Sequence, residues 1–163
     1  MITRLVIGLL CLQLAGCGLH PLYGSNRTSL VADEFEDIFV EMPNSRMVQL
    51  IRNDLMIGSK NAVSAGGAKF ILVLSDSNNV STVLASKTGL NRREMLDVNV
   101  SFSLLDGISR KEVFVGRSFA VVPYDRGSSE FSNLQSVEDA QKRASKLISD
   151  DIRNRISVHL ASL

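Results

Sequence analysis

Basic residues at one turn of this chain offer the chemistry of phosphate recognition. Lys87, Arg92 and Arg93 cluster at the turn between the predicted second and third strands, and Arg117 lies within the predicted fourth strand. A guanidinium group binds phosphate through two parallel hydrogen bonds, so a cationic turn at the end of a sheet suits a phosphorylated ligand. The alternative interpretation is a solvated loop, where Lys and Arg are common in any protein.

Cys17 is the second residue with chemistry to offer. The chain begins with the basic Arg4 and an apolar stretch from Leu5 to Leu14, and Leu14-Ala15-Gly16-Cys17 then resembles the lipobox of bacterial lipoproteins. This pattern predicts a signal peptide over residues 1–16, removed before Cys17, whose thiol then carries lipid. The alternative is an ordinary signal peptide with a cysteine beside its cut site. Gly18, rather than Asp, follows the cysteine and favours export to the outer membrane.

The mature chain would hold 147 residues, enough for one domain with a single core. We predict a lipidated tether over residues 17–33 and a single two-layer domain over residues 34–163. Removing Arg4 with the signal peptide leaves 17 basic and 17 acidic residues, so nothing in the bulk charge attracts nucleic acid. Cys11 leaves with the signal peptide and Cys17 carries lipid, so we expect no disulfide and stability from packing alone.

No residue pattern in the chain predicts catalysis or a cofactor. His20 and His159 lie in the tether and in the last helical turn, too far apart in the sequence to suggest a metal site. The sequence has no Gly-x-Ser-x-Gly, no P-loop and no Gly-x-Gly-x-x-Gly. We therefore expect a protein that is not an enzyme and binds neither metal nor cofactor.

The first half of the domain predicts a strand, a helix and a second strand. Residues 35–42 read as a strand that ends at Pro43. Asn44 and Ser45 are N-cap residues for a helix of about three turns, with Gly58 after its end. Residues 69–85 read as a long strand with a bulge or bend in the polar run 75–79.

The second half predicts two further strands and a long helix. Apolar residues alternate with polar ones from Arg93 to Leu105, which is typical of a strand with one face buried, and Asp106-Gly107 predicts a hairpin turn. Residues 112–122 form the returning strand, which Pro123 should end. The residues that share one of its faces are Val113, Val115, Phe119 and Val121, interrupted by Arg117.

A polar loop over residues 124–131 and a capping-box pattern at residues 136–139 should precede an amphipathic C-terminal helix of about twenty residues. Its predicted apolar stripe is Ala140, Ala144, Leu147, Ile148, Ile152, Ile156 and Leu160. The order of elements predicts an α+β two-layer sandwich, with two helices on one face of a four-stranded mixed sheet and the other face open.

Three stretches together resemble a known family. Cys17-Gly18-Leu19-His20-Pro21-Leu22-Tyr23-Gly24 is similar to the opening of mature LptE lipoproteins, the lipopolysaccharide-assembly lipoproteins of Gram-negative outer membranes. Arg52-Asn53-Asp54-Leu55 resembles the family's Arg-Asn-x-Leu, and Arg117-Ser118-Phe119 resembles its Arg-Ser-Phe. The family's two-layer fold agrees with the predicted order of elements.

This resemblance implies an outer-membrane lipoprotein that sits as a plug inside an LptD β-barrel, helps that barrel assemble and binds lipopolysaccharide through basic residues. Lys87, Arg92 and Arg93 occupy the comparable turn. A basic position of the family shortly before Arg-Ser-Phe is Phe114 or Val115 here, which departs from the pattern for lipopolysaccharide binding by this strand. The alternative is an auxiliary periplasmic lipoprotein of an ABC-type lipid transporter, with the same signal and a similar small domain.

Overall fold

The computed structural model describes residues 35, 37–43, 45–57, 66–85 and 92–162. In chain order its elements are β1 (Ile38–Val40), α1 (Arg46–Met56), β2 (Phe70–Ala85), β3 (Arg92–Asp106), β4 (Glu112–Arg126) and α2 (Glu130–Leu160). The strands form one sheet in the order β1-β2-β3-β4, with β1 parallel to β2 and the other neighbours antiparallel. This is the predicted α+β arrangement of two helices and a four-stranded mixed sheet.

The core lies between the sheet and the two helices, and β3 shows why. Its even-numbered residues from Leu96 to Leu104 are at most 4% exposed, whereas its odd-numbered residues face the other side of the sheet. Successive side chains of a strand point to opposite faces, so strict alternation covers only one side. The helical members of the core are Met47, Val48, Ile51, Leu55, Ala140, Ala144, Ile148, Ile152 and Ile156.

Helix α1 begins where the sequence predicts. Ser45 is its N-cap, and the Ser45 hydroxyl accepts a hydrogen bond from the main-chain N–H of Val48. The same hydroxyl donates to the Asp76 carboxylate at 2.6 Å, so the cap also fastens α1 to β2. Gly58, the predicted residue after the helix, lies outside the described residues.

The two helices contact each other through polar pairs that join distant parts of the chain. The Ser145 hydroxyl of α2 donates to the Asp54 carboxylate of α1 at 2.7 Å. Arg153 donates through one nitrogen to the carbonyl oxygens of Asp54 and Leu55, both at 2.9 Å, and its guanidinium lies 5.7 Å from the Phe35 ring centre. Arg153 thus caps the C-terminal end of α1 with a positive charge, which the helix dipole favours.

Two predictions about the first strands are corrected. The first strand is three residues long rather than eight, because only Ile38–Val40 pair with β2. The polar run 75–79 carries no bulge: its residues pair in unbroken register with Ser101 through Asp97. Strand pairing uses main-chain groups, so polar side chains do not interrupt it. The register shifts later, between Thr82 and Leu84.

The fourth strand does not end at Pro123 but continues to Arg126. Pro123 pairs with Met95 in unbroken register. Proline is tolerated in an edge strand when its nitrogen faces away from the neighbouring strand, and β4 is the last strand of the sheet. Val115, Phe119 and Val121 share one face as predicted, and that face is the open one. Val113 does not join them, because the register shift places Glu112 opposite Leu105 on that face and leaves Val113 beside Phe114.

Helix α2 is longer than predicted, with 31 residues instead of about twenty. It begins after the N-cap Ser129, so the predicted capping box lies inside the helix. The buried residue of the first turn is the polar Asn133, whereas the apolar Phe131 and Leu134 are exposed, so the apolar pattern does not mark the start of the helix. Leu147 is also exposed rather than buried, in contrast to the predicted stripe.

Candidate functional site

The predicted cationic turn contains arginines that are already paired with carboxylates. Arg93 donates from Nε and from Nη2 to the two carboxylate oxygens of Asp125, at 2.8 and 3.1 Å. These hydrogen bonds hold the pKa of Asp125 below its usual range and raise that of Arg93. Arg92 lies 3.1 Å from Glu94 through Nε. Both arginine side chains remain about half exposed, so further N–H groups face solvent.

Arg92 and Arg93 point to opposite sides of the sheet because they are neighbours in one strand. Arg92 lies on the helix-covered side with Glu94, and Arg93 lies on the open side. A single phosphate cannot easily contact both. Lys87, the third predicted cation of this turn, lies outside the described residues, as does Cys17.

Sequence analysis missed a buried polar cluster at this end of the sheet. Glu94 is 4% exposed, and its carboxylate accepts a hydrogen bond from the Tyr124 hydroxyl at 2.6 Å. Arg126 lies 3.8 Å from the same carboxylate. Two arginines and the Tyr124 phenol therefore offset the free-energy cost of burying the Glu94 carboxylate. Burial, followed by the hydrogen bond to Glu94, raises the pKa of Tyr124 to about 12.

Arg117 is not brought to this cluster. It lies in the middle of β4 on the open face, opposite Ser101, and is exposed. It precedes Asp125, the partner of Arg93, by eight residues, or about 26 Å of strand. Among the described residues no carboxylate lies within ion-pair distance of Arg117. The described site residues thus form no single patch: Arg92 lies on the helix-covered side, and Arg93 and Arg117 lie far apart on the open face.

The open face of the sheet carries a row of exposed apolar side chains along β4. We call Val115, Phe119 and Val121 the apolar row. Their exposed fractions are 57%, 73% and 51%. The neighbouring positions on β3 are polar, with Asn99, Ser101 and Ser103 in register. Exposed apolar side chains that are contiguous, with a polar border, mark surfaces that contact other molecules.

No site for metal chemistry appears in the part of the chain that the structure describes: it contains no group of three His, Cys, Asp or Glu side chains suited to a metal ion. The His159 ring stacks on Phe114 with ring centres 4.5 Å apart and an angle of 11° between the planes. His159 therefore packs at the end of α2 against the sheet. Within those same ranges, none of the helices has the length and apolar character needed to span a bilayer.

Comparison with known proteins shows the fold. No family model and no curated protein sequence matches the chain. Among solved structures, a lipoprotein from Caulobacter crescentus CB15 is similar, with a TM-score of 0.69 at 24% identity over 83% of this chain and 98% of that one. Lipoprotein B from Nitrosomonas europaea has a TM-score of 0.54 at 16% identity, over 76% of this chain and 83% of that one.

The rare lipoprotein B from Shewanella oneidensis has a TM-score of 0.51 at 16% identity, over 77% of this chain and 95% of that one. These three structures are all lipoproteins, and each matches over most of its own length. The described domain therefore has a fold that is found in bacterial lipoproteins.

Proposed function

We propose that this protein is an outer-membrane lipoprotein that partners an LptD-like β-barrel, helps the barrel assemble and takes part in lipopolysaccharide insertion. The fold shared with solved lipoproteins, with one sheet face that no described residue covers, is the observation that carries the proposal. The polar β3 side chains of that face suit the polar lumen of an outer-membrane barrel, and the apolar row beside them offers a contact surface. We propose no catalytic step and no cofactor.

The membrane anchor is part of the proposal. Lipid on Cys17 would hold the domain on the membrane from the extracytoplasmic side, since each buried CH₂ contributes about 0.8 kcal/mol and two or more chains anchor firmly. Cys17→Ser should abolish acylation and leave an unprocessed or soluble protein. The intact mass of the purified chain measures this directly, and a mature wild-type chain without acyl groups would contradict the anchor.

Co-isolation tests the partner. The tagged full-length protein is purified from solubilised outer membranes, and the proteins that accompany it are identified by mass spectrometry. A large β-barrel in stoichiometric amount supports the proposed function. An inner-membrane ABC transporter instead would favour the alternative, an auxiliary lipoprotein of a lipid transporter, which the same fold and anchor also suit.

Direct binding of lipopolysaccharide would depend on the two arginines of the cationic turn and is tested separately. Arg92 and Arg93 retain exposed N–H groups, so a phosphate on either face could form charge-assisted hydrogen bonds of about 1.5–3 kcal/mol each. Replacing both with Gln should weaken binding of purified lipopolysaccharide and reduce its salt dependence. Lys146→Gln removes an exposed charge from α2 and is the control. Equal binding by the wild type and both variants would exclude this turn.

A further inference from the structure

Strand β4 has a free edge whose main-chain groups are set out for hydrogen bonding. It is the last strand of the sheet, and no described residue pairs with its outer side. The main-chain N–H of Asp106 donates to the carbonyl of Lys111, and pairs alternate from there along an antiparallel ladder. After the register shift at Leu105, the even-numbered residues of β4 bond to β3. The odd-numbered residues therefore direct their main-chain groups outward.

Pro123 agrees with this assignment. It is odd-numbered and lacks an N–H, so it fits only where that group would point away from β3. Its carbonyl accepts a hydrogen bond at 3.1 Å from Arg143 of α2. The Pro123 carbonyl is therefore already bonded, which makes the end of the edge near Arg126 unavailable to an added strand. The open stretch of edge runs from Val115 to Val121.

Apolar side chains flank this stretch on both sides of the sheet. The apolar row lies on the open face. On the helix side, Leu147 follows Arg143 by one turn and therefore lies on the same side of α2, beside the free edge, where it is 57% exposed. The side chains of a strand added to β4 would cover Phe119 on the open face of the sheet and Leu147 on the helix side.

The other free edge of the sheet lacks an apolar row on the open face, although Val80 is 52% exposed on its helix side. Strand β1 pairs only with residues 70–72, which leaves the rest of β2 as an edge. Its open-face side chains there are Ser75, Ser77, Asn79 and Ser81. Polar side chains offer an incoming apolar strand little surface to cover, so the two edges differ in chemistry although both expose main-chain groups.

We propose that the edge of β4 between Val115 and Val121 accepts an extended segment of the partner protein as a fifth strand. Apolar and polar side chains alternate along the segment. Its apolar side chains lie on the open face and extend the apolar row, and a carboxylate lies opposite Arg117. A membrane-spanning β-strand alternates apolar and polar side chains over nine to eleven residues. The proposal rests on the proposed function in one respect: it takes the segment to be a strand of the β-barrel during its assembly.

Arg117 supplies the charge complementarity. It is exposed in the middle of an apolar row and has no carboxylate partner among the described residues. Opposite charges that face each other across the ladder stabilise strand pairing, and like charges there are destabilising. A bound strand would therefore prefer Glu or Asp at the position opposite Arg117 and reject Lys.

Proline variants test the edge in cells. Val121→Pro removes one outward N–H without removing a bond to β3, and Val121→Thr keeps that N–H with a side chain of similar shape. Asn78→Pro does the same to the β2 edge, since even-numbered residues point outward there. One lost main-chain hydrogen bond is worth about 1 kcal/mol, or about a fivefold change in binding. We expect Val121→Pro to lower the amount of barrel that co-isolates by about fivefold, whereas Val121→Thr and Asn78→Pro should leave it unchanged.

A peptide experiment separates this inference from the proposed function. The mature lipoprotein in nanodiscs is titrated with a nine-residue peptide of alternating Val and Thr with a central Glu, or with Lys in its place. Hydrogen exchange should show protection at residues 115–121 with the Glu peptide, and the Lys peptide should bind about fivefold more weakly. Arg117→Glu should reverse this preference, and it leaves the β4 main chain intact if Val121→Pro fails to fold.

The outcomes are distinct. If the barrel co-isolates equally with all variants and neither peptide protects β4, the inference is overturned while the proposed function stands. If the Glu peptide binds and protects β4 but no barrel co-isolates, the edge is a strand acceptor and the barrel partnership fails. Protection of β2 instead of β4 would also overturn the inference.

Discussion

Gly116 lies where the sheet leaves no room for a side chain, and replacing it tests how the core of β4 is packed. A Cβ added there would lie 2.4 Å from Cζ of Phe102 and within 3.0 Å of two further ring carbons. Phe102 is 1% exposed and tilts against Phe114 with ring centres 5.8 Å apart. The ring is therefore enclosed and has little freedom to move away.

The expected cost of Gly116→Ala follows from two opposing effects. Overpacking a well-packed core costs about 1–3 kcal/mol, whereas replacing a strand glycine by alanine gains about 0.5–1 kcal/mol of chain entropy. Overpacking wins, and we expect a net destabilisation of about 1–2 kcal/mol. For a domain of about this size each kcal/mol lowers Tm by roughly 2–4 °C.

The assay is urea and thermal unfolding followed by circular dichroism. Gly66→Ala is the matched control, because a Cβ there meets nothing within 4 Å. Phe102→Leu in the Gly116→Ala background should relieve the clash, so the double variant should lose less stability than the two single losses together. A Gly116→Ala variant as stable as the wild type, or strictly additive losses, would refute this packing.

Three further predictions concern the helix, the buried phenol and the start of α2. Ile148→Ala and Ile152→Ala should each lower the free energy of unfolding by about 2–5 kcal/mol, out of a total of about 5–15 kcal/mol. Circular dichroism of the double variant should therefore show little folded protein. An unchanged melting temperature would show that this face of the helix is not in the core. The folded pKa of Tyr124 lies above its unfolded value, so its contribution to stability is present below about pH 10 and is lost as pH rises through about 12; a pH titration of unfolding measures it, and Tyr124→Phe should flatten this loss. Asn133→Ala breaks two hydrogen bonds to Gly127 and should cost about 1–3 kcal/mol, with faster proteolysis of the first turn of α2 as the readout.

The sequence predicted best where local pattern and burial agree. The alternation of β3 and the cap of α1 at Ser45 need no knowledge of the rest of the chain. The faces of β4 were harder, because its buried side holds Gly116, Ser118 and Ala120, which are smaller than the exposed Val115 and Phe119. Small residues face inward because Phe102 and α2 fill the space above them. Periodicity alone cannot reveal that inversion.

The candidate site was only partly predictable for the same reason. The sequence marks Arg92 and Arg93 as cations, but their carboxylate partners depend on strand register. Asp125 is 32 positions from Arg93, and Tyr124 is 30 positions from Glu94. A proline before Tyr124 indicated the end of a strand, whereas the strand continues with the proline at its free edge. The pairing of distant residues, rather than their types, decides which charges remain available.

The contact between α1 and α2 has a consequence for the order in which the chain can fold. Strands β2, β3 and β4 form successive antiparallel hairpins, so their contacts are close in the sequence and can form early. Arg153 and Ser145, by contrast, meet Asp54 across 99 and 91 positions. If the chain crosses a membrane from its N-terminus, α1 emerges early, but its contacts with α2 form last. Until α2 arrives, the apolar side of α1 is exposed, and at that stage a holding chaperone would protect this chain most.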